Sequence, residues 1–152
     1  MKNIILLLLM FANLIYAAPS EHSPIGYWKT IDDVTQRPKA IVYISETQNK
    51  SLSGRIVKIF PHPGDSPHTL CTACKGDKHN QPILGMIFLY GHKKNKDVAL
   101  QWASGKILDP RTGKIYHSTL TLASNGQQLR VRGYIGLPLF GRTQTWWRVA
   151  SG

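Results

Sequence analysis

Apolar and polar residues alternate in short runs along nearly the whole chain, and Gly, Pro, Asn and Asp break those runs at close intervals. Side chains of a β-strand point alternately to two faces, so this pattern marks half-buried strands, and helical periodicity is hard to find. Strands are expected at about Gly26–Ile31, Ala40–Glu46, Leu52–Phe60, Leu84–Tyr90, Val98–Lys106, Lys114–Leu122, Gln128–Ile135 and Thr143–Val149. Turn signals separate them. Asn125-Gly126 is the strongest and is expected to form a tight primed turn, which needs positive φ. Gly54, Gly105 and Gly133 fall inside strands and suit the bends by which a sheet curls. Strands this short and evenly spaced predict an all-β sandwich or barrel rather than βαβ units.

The ends of the chain favour the barrel. Gly26-Tyr27-Trp28 opens the first strand, and Thr143–Val149 forms the last, with Arg142, Gln144, Trp146 and Arg148 on one face and Thr143, Thr145, Trp147 and Val149 on the other. Where a closed sheet meets itself, Trp28 is expected to seal one end of the core, with Arg142 or Arg148 stacked on its ring. Such a contact contributes about 0.5–2 kcal/mol. Trp28, Arg142 and Arg148 are therefore assigned structural roles.

Residues 1–17 read as a secretory signal: Lys2, an apolar run from Ile4 to Ile15, and small residues at Ala17-Ala18. The run is too short for a membrane span. Residues 18–152 then form a single domain, and nothing in them reads as a membrane-spanning helix. The formal charge is +11. On a cytosolic protein it would suggest nucleic acid; on an exported one it points to anionic envelope lipid or polysaccharide, and no nucleic-acid partner is expected.

Between Pro61 and Pro82 runs a long connection holding the only cysteines, Cys71 and Cys74. In an oxidising compartment they are expected to form a local disulfide. A metal site completed by His62, His68 or His79, or thiol redox chemistry, are the alternatives. Asp32, Asp33 and Asp109 could work as acid–base carboxylates, but each stands where a turn would use it as a cap. His117, on the polar face of its strand, reads as solvated. No nucleophile elbow or phosphate loop is present, and no enzyme activity, catalytic residue, metal or cofactor is assigned.

Leu137-Pro138-Leu139-Phe140 is apolar where a turn should be polar. Either it folds over the barrel end as core, or it forms the lip of a ligand mouth, or it touches a membrane or partner. Arg130, Arg132, Arg142 and Arg148 lie in the same hairpin and would suit an acidic head group if they face the lumen.

Several segments together resemble a bacterial family of secreted proteins, domain-of-unknown-function family 2147. They are Gly26-Tyr-Trp-Lys-Thr-Ile-Asp32, Gly54-Arg-Ile-Val57, Cys71-x-x-Cys74, Gly85-Met-Ile87, Gly105-Lys-Ile-Leu-Asp-Pro110, Gly113-Lys-x-Tyr116, Leu129-x-Val-Arg-Gly-Tyr-Ile-Gly136 and Phe140-Gly-Arg-Thr-Gln-Thr-Trp146. Trp147 departs from the pattern, standing where a polar residue is more usual. The resemblance implies an eight-stranded antiparallel up-and-down barrel, lipocalin-like (calycin), in the periplasm of a Gram-negative bacterium or secreted from it. It implies no activity.

The resulting expectation is an exported binding protein that holds a small hydrophobic or amphipathic ligand, a fatty acid or other lipid. Leu137, Leu139, Phe140, Trp146, Trp147, Tyr134 and Arg132 are its candidate ligand-binding residues. The rivals are a metal- or redox-active envelope protein using the Cys71/Cys74 loop, and a basic surface-adhesion protein.

Overall fold

The computed structural model describes residues 22–66 and 68–152, so the expected signal segment, residues 1–17, lies outside the described residues. Eight strands run β1 (Gly26–Ile31), β2 (Pro38–Glu46), β3 (Leu52–Ile59), β4 (Ile87–Lys94), β5 (Gln101–Asp109), β6 (Lys114–Leu122), β7 (Gln128–Tyr134) and β8 (Arg142–Val149). Each pairs antiparallel with the next, and β8 returns to β1, closing an up-and-down barrel. Closure removes the exposed sheet edges that would otherwise invite aggregation. The fold is the one expected.

Two strands lie later than the residue pattern suggested. β4 starts at Ile87 instead of Leu84 and runs on to Lys94; β5 starts at Gln101 instead of Val98. Gly91 explains the first extension: at φ 81 it forms a bulge that the register with Leu52 and Ser53 skips, so pairing resumes at His92. A second skip at Phe88 leaves both Phe88 and Leu89 buried. The Asn125-Gly126 turn is also of another type. Gly126 N–H donates to the Ala123 carbonyl at 2.9 Å, and only Gly126 has positive φ, which describes a type I turn followed by a left-handed glycine.

Inward-facing side chains fill the barrel. Trp28, Val42, Ile44, Leu89, Leu120, Leu129 and Trp146 belong to one apolar cluster and are almost fully buried. Each contributes about 1.5–3 kcal/mol by leaving water. Gly54 and Gly105 make room for neighbours in that interior. A Cβ on Gly54 would stand 3.0 Å from Leu89 Cβ, and one on Gly105 would overlap the His92 ring.

The two ends of the barrel differ. At the sealed end, Trp28 donates its indole N–H to the Pro24 carbonyl at 2.8 Å, and the Arg148 guanidinium stacks 4.3 Å from its ring. That guanidinium also donates to the carbonyls of Gly126, Ile25 and Ser23 at 2.6, 2.9 and 2.6 Å. Burial pulls the Arg148 pKa below its ordinary value, and the three carbonyls replace the lost water. At the other, loop end lie the β1–β2, β5–β6 and β7–β8 turns and the long β3–β4 connection. Cys71 and Cys74 form a disulfide, both buried in the apolar cluster. Their loop lies against the β5–β6 turn: Cys71 Sγ is 3.1 Å from the Pro110 carbonyl oxygen, and a Cβ on Gly113 would overlap the Ala73 carbonyl.

Candidate functional site

The loop end carries the features that a packed barrel does not need. In the β7–β8 turn, Pro138 starts a short 3-10 turn, Pro138–Phe140. Arg132, on β7, fixes that turn from outside. Its guanidinium donates to the Pro138 carbonyl at 2.7 and 3.0 Å, to the Leu139 carbonyl at 3.3 Å and to Thr143 Oγ1 at 2.9 Å. The turn's backbone is thus held while Leu137, Leu139 and Phe140 remain exposed. The tip does not fold over the barrel end as core.

Beside this apolar rim, a polar ladder descends the inward face of β8. Arg142 Nε pairs with Asp33 Oδ2 at 2.9 Å, and Gln144 Nε2 donates to the same oxygen at 3.1 Å. Trp146 Nε1 reaches the Gln144 Oε1 acceptor at 3.4 Å, and its ring packs 6.0 Å from that of Phe88. The period of two in a strand places Arg142, Gln144 and Trp146 in line, so charge at the rim gives way to amide and then to indole in the core. Asp32 and Asp33 part company here. Asp32 caps its own turn: the Thr35 backbone N–H and hydroxyl hold its carboxyl below the ordinary range. Asp33 instead reaches across to β8. Asp109 caps its turn through the Arg111 N–H, as a turn residue should.

The remaining expected ligand residues lie elsewhere. Arg132, Tyr134 and Trp147 point outward, because Leu129, Val131 and Trp146 occupy the inward positions of the same strands. Tyr134 stacks on His117 at 5.7 Å, and Trp147 is exposed. Arg132 and Tyr134 line an outer groove of about 280 Å³ with Thr119, Thr121 and Arg130. The structure therefore brings Trp146 together with the rim side of the ladder, but not with Tyr134 or Trp147. Of the two arginines expected near Trp28, Arg148 is there, and Arg142 holds Asp33 instead.

His79 Nδ1 donates to the Cys74 carbonyl at 3.0 Å and so braces the disulfide loop. Among the described residues no three His, Cys, Asp or Glu side chains gather as a metal-binding group, and no helix is long and apolar enough to cross a membrane.

One buried polar pair had no signal in the residue pattern. His92 lies fully inside the barrel, with Nε2 2.6 Å from Ser118 Oγ, while Nδ1 has no partner among the described residues. Burial pushes its pKa down to about 4. The Gly91 bulge turns His92 inward, and Gly105 leaves space for its ring. Only the coincidence of those two glycines could have pointed to it.

Residues 26–148 match the family described as an uncharacterized protein conserved in bacteria, DUF2147, and the chain belongs to it. The barrel is similar to a solved structure described as protein HP1028 from the human pathogen Helicobacter pylori, a member of the lipocalin family. The two share 21% identity over 83% of this chain and 82% of that one, with a TM-score of 0.68. At that identity the likeness establishes a lipocalin-like fold. No curated protein matches the chain.

Proposed function

We propose that this member of the DUF2147 family is an exported, non-enzymatic binding protein that takes a small amphipathic or hydrophobic ligand, a fatty acid or other lipid, at the loop end of its barrel. The observation that carries this reading is the asymmetry between the ends. Trp28, Arg148 and the segment before β1 close one end, whereas the other presents an apolar rim above the ladder from Arg142 to Trp146. Because side chains fill the barrel and the disulfide is buried among them, an acyl chain entering past Leu137 and Phe140 towards Phe88 and Trp146 would have to displace part of that packing. A carboxylate head group would compete with Asp33 for the Arg142 guanidinium, which favours planar, bidentate anions.

Tryptophan emission offers the test, since Trp146 lies at the foot of the ladder. Protein verified free of bound lipid should show a saturable emission change with a medium-chain fatty acid. Phe140→Asp should weaken the effect, and Arg142→Gln should weaken fatty acid binding more than fatty alcohol binding. A panel of such ligands giving no saturable change would defeat the reading.

A specific observation also favours the adhesion reading. Arg55, Lys58, Lys93, Lys106 and Arg130 stand exposed on the strands, while the described acidic residues sit in turns or at strand ends. The barrel wall is therefore basic, and an anionic envelope polysaccharide would bind it electrostatically. Salt-sensitive binding of a soluble polyuronate, lost in Arg130→Gln and Lys106→Gln, would identify that function.

A further inference from the structure

Val34, Ile135, Leu137, Leu139 and Phe140 are 61–84% exposed, and all belong to turns at the loop end. Towards the sealed end the large apolar side chains with appreciable exposure among the described residues are Ile25, Val98 and Trp147, at only 36%, 43% and 45%. Val34 shares the rim with the β7–β8 tip, because Asp33 beside it bonds Arg142, which directly follows the tip. The tip is not exposed through looseness: Arg132 clamps its backbone by two carbonyls, leaving the apolar side chains outside. Among the described residues, cations at this end outnumber carboxylates by a small margin. Arg37, Lys75, Arg111, Lys114 and Arg142 are exposed there, with Lys39 and Lys78 partly so. Against them stand Asp32, Asp33, Asp65, Asp77 and Asp109, of which Asp33 pairs with Arg142 and Asp109 with Arg111. Exposed apolar side chains on a held backbone, beside cations such as Arg37 and Lys114 that form no ion pair among the described residues, suit the boundary between lipid headgroups and acyl chains.

We propose that the loop end is a docking face for a bilayer containing anionic lipid, with Leu137, Leu139, Phe140 and Val34 entering the headgroup–acyl boundary and the flanking cations meeting lipid phosphates. Docking requires the rim and no ligand in the barrel, so it goes beyond the binding function above. It would also present the ladder at the membrane surface, where an amphipathic ligand is found.

The experiment is vesicle co-sedimentation of the exported protein, its N-terminus established by sequencing. Vesicles of phosphatidylethanolamine with phosphatidylglycerol should bind it, and phosphatidylcholine vesicles should bind it at least about tenfold more weakly. The double variant Leu139→Asp/Phe140→Asp should lose about tenfold or more in affinity for the anionic vesicles, with an unchanged circular dichroism spectrum. Val98→Asp, at the sealed end, should bind like the parent. Absence of binding to anionic vesicles would overturn the proposal, as would binding that survives the double variant or that Val98→Asp abolishes equally. Concentration-dependent dimerisation lost in the double variant, without vesicle binding, would also overturn it and assign the face to a protein partner. Val34→Asp, which spares the tip, should lower vesicle affinity while leaving the tryptophan response to monomeric fatty acid intact, so docking and ligand uptake fail separately.

Discussion

Asp33 Oδ2 lies 2.9 Å from Arg142 Nε across the seam between the first and last strands, just where the backbone ladder has stopped joining them. The β1–β8 register covers only Tyr27–Lys29 against Trp147–Val149, so towards the loop end side chains replace main-chain bonds. The Arg142 side chain is 69% exposed, and a pair so open to water contributes little stability. Asp33→Ala should therefore cost no more than about 1 kcal/mol in urea unfolding. It should nevertheless slow release of a bound fatty acid in stopped-flow fluorescence, because it frees the Arg142 guanidinium for the carboxylate head group. A loss of several kcal/mol with unchanged release would make the pair a structural strut.

At the opposite end of the same seam, Trp28 is buried and Arg148 covers it. Trp28→Ala should cost about 3–5 kcal/mol, the usual penalty for deleting a buried aromatic. Arg148→Lys keeps the charge but loses the planar fork that spans three carbonyls, and should cost about 1–3 kcal/mol. Equilibrium denaturation measures both. A Trp28→Ala change near zero would mean that β1 is peripheral to the barrel's stability.

The number of strands, their order and the sealing role of Trp28 were legible because alternation and turn residues are local properties. β6 shows this best: Tyr116, Leu120 and Leu122 face in while His117, Thr119 and Thr121 face out, as alternation alone requires. β4 runs further along the chain than alternation predicts because bulges at Phe88 and Gly91 break the two-residue period. The site was less legible for a related reason. Alternation separates Trp146 from Trp147 and Val131 from Arg132, yet which set faces the lumen depends on closure of the whole sheet. Asp33 reads as an ordinary turn residue; its partners lie 109 and 111 positions later in the chain, beyond any local pattern.

The disulfide closes a loop of very few residues, so its constraint on the unfolded chain is small, about 2 kcal/mol in the chain-entropy description. Cys71→Ser/Cys74→Ser should leave the barrel folded by circular dichroism. Because the pair braces the connection against the Pro110 turn, limited proteolysis should begin to cut between residues 61 and 82. Global unfolding in the double variant would show that the loop organises the barrel itself.

His92 makes the barrel sensitive to acid. Its pKa falls from the ordinary 6.5 to about 4 because burial disfavours the imidazolium. Between those values the unfolded chain binds a proton that the folded barrel refuses. Stability from this site is therefore complete above the unfolded value and drains away as the pH falls towards about 4, by about 3 kcal/mol in all. His92→Gln, which keeps a hydrogen-bonding partner for Ser118 without the titration, should flatten the loss between about pH 6.5 and about pH 4 in urea titrations. Gly105 belongs to the same arrangement, since any Cβ there overlaps the ring. Gly105→Ala should cost about 1–3 kcal/mol or more by overpacking, and most of that cost should vanish in a His92→Ala background. Additive costs in the double-mutant cycle would mean that the ring and Gly105 do not share one space, and a parent protein as stable at about pH 4.5 as at about pH 7 would show that His92 does not govern the acid limb.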